Sequence, residues 1–355
     1  MRETKALPRE RWKGRIDRWM PICFLACVLA ACSPTTEPPV RLDTTAMDTF
    51  VSVTVFDGGE DRAEIEGLIR QAFREIGRVE EIATDYSDSS EVGMVNTSAG
   101  KETVSISTEI AGLIRESFSY STMSDGAFDV TIGPMVKKWD FLAENPVVPS
   151  EREIHELLPL VNYKLVVLSG ARIFLPLKGM RLDLGGIAKG YAVDNAIHLL
   201  RRKGLKEMIV DIGGNLGIYW EGTHLLDSTK ATIYIRHPRR DDEFFGSFDV
   251  GTGGVSTSGD YQRFLVHEGV RYHHILDPKT GQPVRTMVSV TVVAPTATMA
   301  DALSTTAFVL GREKGMRLIE ELPEVDGIMI FEQGDSLGYS LSSGLQGKFV
   351  RSHPN

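Results

Sequence analysis

The sequence predicts an α+β fold, a mixed α/β body with central mixed sheets and flanking helices. Three observations carry this expectation. Short runs of period-two alternation mark strands between residues 49 and 331, stripes of apolar residues at three- and four-residue spacing mark helices among them, and 355 residues at 42% hydrophobic content suffice for a large core.

The N-terminal segment stands apart from that body. Arg9, Arg11, Lys13, Arg15 and Arg18 precede an apolar run, Trp19 to Ala31, that ends in Leu29-Ala30-Ala31-Cys32. The run is shorter than the roughly twenty residues a helix needs to cross a bilayer. It therefore predicts an export signal over residues 1–31, cut before Cys32. Leu-Ala-Ala-Cys resembles a lipobox, which makes Cys32 the expected lipidation site. The mature protein is then expected to be exported and lipid-anchored, facing the periplasm or the extracellular side. Residues 32–45, with Pro34, Pro38 and Pro39, read as a tether. A folded domain is expected over 46–345, and a C-terminal tail over 346–355.

All three cysteines, Cys23, Cys27 and Cys32, lie in the first 32 residues, so neither a disulfide framework nor a thiolate metal site is available to the body. Removing residues 1–31, with seven basic and three acidic side chains, takes the net charge from -9 to -13. So acidic a body lacks the basic footprint that nucleic acid demands.

Within the body, Val51, Val53 and Val55 alternate with Phe50, Ser52 and Thr54, predicting a strand over 49–56. Ile65, Leu68, Ile69, Ala72, Phe73, Ile76 and Val79 share one face of a helix over 61–84. A polar, turn-rich stretch follows over 85–100. The next helix starts from Ser107 or Thr108 as its cap and buries Ile110, Leu113, Ile114 and Phe118. Strands are expected at 164–168, 172–175 and 181–184, then a helix over 188–203 that stops at Gly204. Further strands fall at 207–212, 232–236, 272–276, 288–294 and 327–331, with helices at 299–310 and 313–322.

Four segments have the composition of a site. Asp183-Leu184-Gly185-Gly186-Ile187-Ala188-Lys189-Gly190 sets a strand end, two glycines and a helix start in a row, where main-chain amides can approach an anion. It matches neither a Walker loop nor Gly-x-Gly-x-x-Gly. Asp301 and Thr305 lie four apart on one helical face and offer two hard oxygens of the kind that suit Mg²⁺. Taken alone, the pair reads better as a helix-start cap at Asp301 and a surface residue at Thr305. Gly126 to Pro134 is a turn-rich loop. The fourth segment, Gly253 to Gly281, holds Ser256, Ser258, His273 and His274. Adjacent histidines cannot share a face, which argues against a two-histidine metal site. A serine hydrolase triad with His274 lacks the Gly-x-Ser-x-Gly elbow.

Together these segments resemble the ApbE family of FAD:protein FMN transferases. The resemblance spans about Met47 to Gly311 and rests on five ordered motifs. They are Gly-Ala-Phe-Asp-Val-Thr-Ile-Gly-Pro (126–134), Asp-Leu-Gly-Gly-Ile-Ala-Lys-Gly-Tyr-Ala (183–192), Ser-Thr-Ser-Gly-Asp-Tyr (256–261), His-Ile-Leu-Asp-Pro-Lys-Thr-Gly (274–281) and Ala-Asp-Ala-Leu-Ser-Thr (300–305). The resemblance implies a flavin site in a cleft between lobes, with FAD as substrate near Met47, Tyr86, Ala127, Phe128, Asp129, Asp183, Lys189 and Ile275. It implies Mg²⁺ held by Asp301, Thr305 and the carbonyl of Gly186, with Ser304 at a position that is a ligand in some members. Asp48 stands where many members have glycine.

The reaction so implied is Mg²⁺-dependent transfer of FMN from FAD to a threonine hydroxyl of an acceptor flavoprotein, releasing AMP. Lys189 would balance phosphate charge and His274 would accept the hydroxyl proton, a role open also to Asp301 or a bound water. The chain has no acceptor motif of the Ser-Gly-Ala-Thr type. The acceptor is therefore expected to be a separate protein, a flavoprotein subunit of a membrane redox complex. Three rival readings are a Mg²⁺-dependent FAD pyrophosphatase, a non-catalytic exported FAD-binding protein and a purely structural lipoprotein.

Overall fold

The computed structural model describes residues 38–56, 61–221 and 231–352. The expected export signal, Cys32 and the first part of the expected tether lie outside them. The described chain opens with a hairpin, β1 (Val40–Ala46) and β2 (Thr49–Val55), followed by α1 (Arg62–Ala83) and α2 (Glu91–Thr97). Next come β3 (Val104–Ser105), α3 (Thr108–Met123), α4 (Gly133–Trp139), α5 (Glu151–Leu157), β4 (Val167–Ser169), β5 (Arg172–Phe174) and α6 (Ala188–Arg202). Six strands follow: β6 (Glu207–Ile212), β7 (Asn215–Trp220), β8 (Ala231–Arg236), β9 (Phe244–Val250), β10 (Gly253–Gly259) and β11 (Phe264–His267). The described chain closes with β12 (Val270–His273), β13 (Ser289–Ala294), α7 (Ala297–Glu321), β14 (Asp326–Gln333), β15 (Ser336–Leu341) and β16 (Val350–Arg351).

Eight strands make the central sheet in the order β1-β2-β6-β7-β10-β13-β14-β15, and each neighbouring pair is antiparallel. The α+β class stands, but the expected mixed sheets are antiparallel ones. The parallel pairing among described residues is a single bridge between Ile132 and Arg181. Tight turns explain the preference: β6 and β7 join through Gly213-Gly214, both at positive φ, and a two-residue turn can connect antiparallel strands alone. A smaller sheet, β16-β9-β8, packs Ile233, Phe245 and Phe248 against Ile218, Val255, Val293 and Ile328 of the central sheet. On the other face lie α1, α6 and α7.

The helices follow their stripes. α1 buries Ile65, Ile69, Ile76 and Val79 with the strands β2 and β6, each side chain worth about 1.5–3 kcal/mol. Asp61 caps α1 by accepting from the Ala63 N–H, and Ser107 caps α3 by accepting from Ile110. The two helices expected after residue 299 form one element, α7, in which Gly311 (φ 75°, ψ 179°) leaves helical geometry.

Several expected boundaries move, among them the strand expected at 164–168, which is β4 (Val167–Ser169), and that expected at 272–276, which is β12 (Val270–His273). β1 takes residues 40–46, the end of the expected tether, by pairing along the whole of β2. No strand forms at 181–184, because Asn96 serves there in place of a neighbouring strand. Its side-chain oxygen accepts from the Leu182 N–H at 2.6 Å and its amide donates to the Leu182 carbonyl at 2.9 Å. The expected tail contributes β16, which pairs with β9, and Arg351 lies 3.6 Å over the Phe245 ring.

Candidate active site

One cleft of about 710 Å³ gathers the turn between β1 and β2, the 126–141 segment, the Asp183–Lys189 turn, the end of β10, the strands' return at His274 and the first turns of α7. Met47, Tyr86, Ala127, Phe128, Asp129, Asp183, Lys189 and Ile275 all line it, as do Gly186, His274, Asp301 and Thr305. Segments more than 250 residues apart in sequence thus meet at one wall. The described residues that line the cleft all belong to one compact unit.

The meeting of the glycine turn with α7 is close. Gly190 donates its N–H to Asp301 Oδ2 at 2.9 Å, and a methyl group at Gly190 would stand 2.2 Å from the Ala297 carbonyl oxygen. At Gly186 such a carbon would stand 3.1 Å from the Phe128 ring and 3.6 Å from Thr305 Oγ1. The glycines let the turn lie against the helix. α7 is seated from its start by Asp194, which accepts from the N–H groups of Ala297 at 2.9 Å and Thr298 at 2.8 Å.

Each remaining side chain has a definite setting. Asp183 accepts from the Gly185 N–H at 2.6 Å, and burial pushes its carboxyl up. Beside it, burial and then the Asp183 charge push Asp85 up to about 6, against the pull of Arg181. Asp129 uses both oxygens on its own surroundings, accepting from Thr131 N at 2.8 Å, Thr131 Oγ1 at 2.6 Å and Tyr163 N at 3.0 Å. It fastens the 126–134 loop. Lys189 Nζ donates to the Gly185 carbonyl at 3.2 Å, which holds the ammonium over the turn. Tyr86 stands at the cleft with 67% of its surface exposed.

The adjacent histidines part company. His273 is buried edge-on against Phe308, while His274 lines the cleft. Burial, with the charges of Lys189, His273 and Arg263 added, depresses His274 to about 3, so its imidazole is neutral near pH 7. Its Nδ1 lies 3.3 Å from the Arg263 carbonyl oxygen, which makes Nδ1 the donor and leaves the lone pair on Nε2. Neither serine of the imagined hydrolase triad bonds it: Ser256 Oγ donates to Asn215 Oδ1 at 2.5 Å, and Ser258 Oγ meets Ser304 Oγ at 2.9 Å. That reading falls.

The profile of the ApbE family matches residues 47–329. The chain belongs to the ApbE family. It is similar to a FAD:protein FMN transferase of Treponema pallidum, 34% identical over 283 residues, covering 76% of this chain and 78% of the relative. A FAD:protein FMN transferase of Vibrio cholerae is 28% identical over 335 residues, covering 92% of this chain and 97% of the relative. Among solved structures, an ApbE protein of Thermotoga maritima matches with a TM-score of 0.77 at 31% identity, covering 88% of this chain and 99% of the other. The flavin transferase ApbE of Vibrio cholerae matches at 0.75 and 26%, covering 88% and 100%.

Asp301 and Thr305 bring side-chain oxygens to the wall of this ApbE cleft. Among the described residues no group of three or more His, Cys, Asp or Glu is poised to hold a metal. Mg²⁺ needs less, since one or two carboxylates plus phosphate and water complete its shell. Asp301, 3% exposed, spends Oδ2 on Gly190, and Oδ1 has one contact, to Ser256 Oγ at 3.5 Å. Burial pushes the Asp301 carboxyl up while Lys189 pulls it down. A nearly bare buried carboxylate oxygen beside a threonine hydroxyl is a donor set that fits Mg²⁺. Ser304 is different: it is fully buried, does not line the cleft, and its Oγ donates to the Asp301 carbonyl at 3.0 Å. As a ligand it would have to turn away from these partners.

Several cleft residues of this ApbE chain carry no motif of their own. Arg263 lines the wall, 4.0 Å from Asp48. Asp85 and Arg181 form a half-hidden pair at 3.6 Å. Asn215 supports Ser256 from behind. Their single signal in the sequence is adjacency, Asp85 to Tyr86 and Arg181 to Asp183.

Proposed function

We propose that this chain transfers FMN from FAD to a threonine hydroxyl of an acceptor protein, with Mg²⁺ bound by Asp301 Oδ1, Thr305 Oγ1 and the Gly186 carbonyl. The observation that carries the reading is the junction of the Asp183–Lys189 turn with Asp301 and Thr305 on one cleft. Relatives that cover most of this chain are FAD:protein FMN transferases. Charge argues for the cation as well. Eight carboxylates and four basic side chains line the cleft, so a diphosphate entering alone meets a repulsive field. When bound, Mg²⁺ supplies the neutralisation of phosphate charge that phosphoryl chemistry requires.

The chain's own residues then have separate tasks. Tyr86 offers a free aromatic face to a flat ring of the dinucleotide, and Phe128 and Ile275 give it apolar walls. Lys189, held over the turn by Gly185, faces the phosphates. In the reaction the acceptor oxygen forms a bond to the FMN phosphorus, and the bond from that phosphorus to the bridging oxygen breaks. The electron pair leaves with AMP. The hydroxyl proton goes to Nε2 of His274, whose proton affinity rises once diphosphate charge lies beside it.

The segment before Val40 supports a further part of the reading, an exported enzyme tethered through lipidated Cys32. Its acceptor would be a flavoprotein subunit of a membrane redox complex within reach of that tether.

Mass spectrometry decides the reaction. The full chain, FAD, Mg²⁺ and a candidate acceptor are incubated together; FMN on an acceptor threonine, matched by AMP, is the expected result. FMN and AMP released without an adduct would make water the nucleophile. FAD retained intact, with no AMP, would make the chain a carrier. Asp301→Ala should stop AMP release while FAD still binds; undiminished release would remove the metal assignment.

A further inference from the structure

Beside Asp301 runs a line of side-chain oxygens, all but the last on buried residues: Asn215 Oδ1, Ser256 Oγ, Ser304 Oγ, Ser258 Oγ and Thr305 Oγ1. Successive separations are 2.5, 3.2, 2.9 and 3.3 Å. Asn215, Ser256 and Ser304 are at most 3% exposed and Ser258 is 7%. β7, β10 and α7 each contribute, with Asn215 and Ser256 directly opposite each other across the β7–β10 pair. Each hydroxyl has one proton, so the end of the line dictates its direction.

Asn215 Nδ2 donates to the Ile212 carbonyl at 3.2 Å, which fixes the amide so that Oδ1 faces Ser256. Oδ1 can only accept. The Ser256 proton therefore goes to Asn215 and is not available to Asp301 Oδ1. The Ser304 proton is shared between Ser256 and the Asp301 carbonyl, 3.0 Å away. Ser304 then has none for Ser258, so Ser258 donates to Ser304. Ser258 in turn has none for Thr305, so Thr305 donates to Ser258.

We infer that this ordered chain of hydroxyls, terminated by Asn215, positions Thr305 so that its lone pairs face the cleft, making Asn215, Ser256, Ser258 and Ser304 positioning residues for the divalent ion. The inference rests on the metal site proposed above and goes one shell outward from it. It also gives Ser304 a task that its place off the cleft wall permits. With every proton drawn inward, Thr305 Oγ1 and Asp301 Oδ1 present oxygen lone pairs and no competing donor. Outer hydrogen bonds of this kind commonly set metal affinity by about 10–100-fold.

The test measures Mn²⁺ binding to the full-length chain without FAD, by electron paramagnetic resonance, and so does not depend on turnover. Ser258→Ala should weaken binding about tenfold. In a Thr305→Ala background the same change should cost nothing, because Ser258 acts through Thr305. Ser258→Thr, which keeps the hydroxyl, should restore affinity. Ser304→Ala, one step further along, should weaken Mn²⁺ as Ser258→Ala does and provides the measurement if that variant does not fold. Equal losses in the two backgrounds, or full affinity in both serine variants, would overturn the chain. Asp301→Ala separates the levels: if it leaves Mn²⁺ affinity intact, the metal site itself fails, whereas its loss with unaffected serine variants leaves the site standing and removes the hydroxyl chain alone.

Discussion

The N–H of Gly190 and Oδ2 of Asp301, 111 residues apart, lie 2.9 Å from each other at the crossing of α6 and α7. The crossing is tight enough that a Cβ at Gly190 would also fall 2.8 Å from Asp301 Cβ. Neither that atom nor the Ala297 carbonyl is at the far end of a flexible side chain, so the helices themselves must part. Gly190→Ala is expected to cost about 1–3 kcal/mol by overpacking. A lower urea midpoint, together with weaker divalent-ion binding, is the expected outcome; an unchanged midpoint would show that the crossing yields freely.

Tyr86 should matter for flavin and not for the fold. With two-thirds of it exposed, its removal uncovers little core. Stacking of a nucleotide base on an aromatic side chain is worth about 1–3 kcal/mol. Tyr86→Ala should therefore weaken FAD about 5- to 150-fold in a fluorescence titration while leaving the thermal midpoint in place. Equal FAD affinity in both proteins would remove the ring from the binding surface.

His274 gives the pH dependence a sign. Its folded value near 3 lies below the ordinary 6.5, so between these values the unfolded chain takes up a proton that the folded chain refuses. Stability from this group is present in full above about 6.5 and falls as pH drops toward 3. Between pH 6.5 and 4 the loss amounts to at most about 3 kcal/mol. Urea unfolding without FAD or divalent ions should show His274→Gln losing less stability over this range than the unaltered protein. Parallel profiles would contradict the depressed value.

The turn at Met47-Asp48 holds both residues in the left-handed region, at φ 52° and 56°, between strands paired up to Ala46 and Thr49. Aspartate tolerates that conformation and glycine adopts it without a Cβ clash. Asp48→Gly also removes the 4.0 Å contact to Arg263, but Asp48 is 57% exposed there and such pairs are worth little. The strain term wins, and the variant should gain about 0.5–1 kcal/mol in urea unfolding. A loss would assign Asp48 a larger part in the turn than its geometry does.

What the sequence discloses follows from periodicity and length. α1, α3 and α6 are long and striped, and their expected spans match the observed ones within a few residues. α2, α4 and α5 have seven residues each, too few for a stripe to emerge, and α2 hides in what reads as a polar turn. β10 is missed for a different reason. Its inward side chains Ser256 and Ser258 are buried as hydroxyls, so the strand that supports the cleft has the composition of a loop. The ordered motifs locate about half of the cleft residues, but Arg263 and Asn215 reach it through tertiary placement alone. The depth of Ser304 is likewise invisible in Asp-Ala-Leu-Ser-Thr, where only the helix's rotation against β10 turns one hydroxyl inward and the next toward the opening.

The pairing of β16 with β9 has a bearing on how the molecule comes into being. Phe349 and Arg351 sit on Phe245, so residues about a hundred positions later in the chain cover that small sheet. During synthesis the N-terminal hairpin and its helices can consolidate while that small sheet still waits for its lid. A product cut short before Phe349 would leave Phe245 more open to water and to other chains, which makes the late β16 segment a lid on which the small sheet depends.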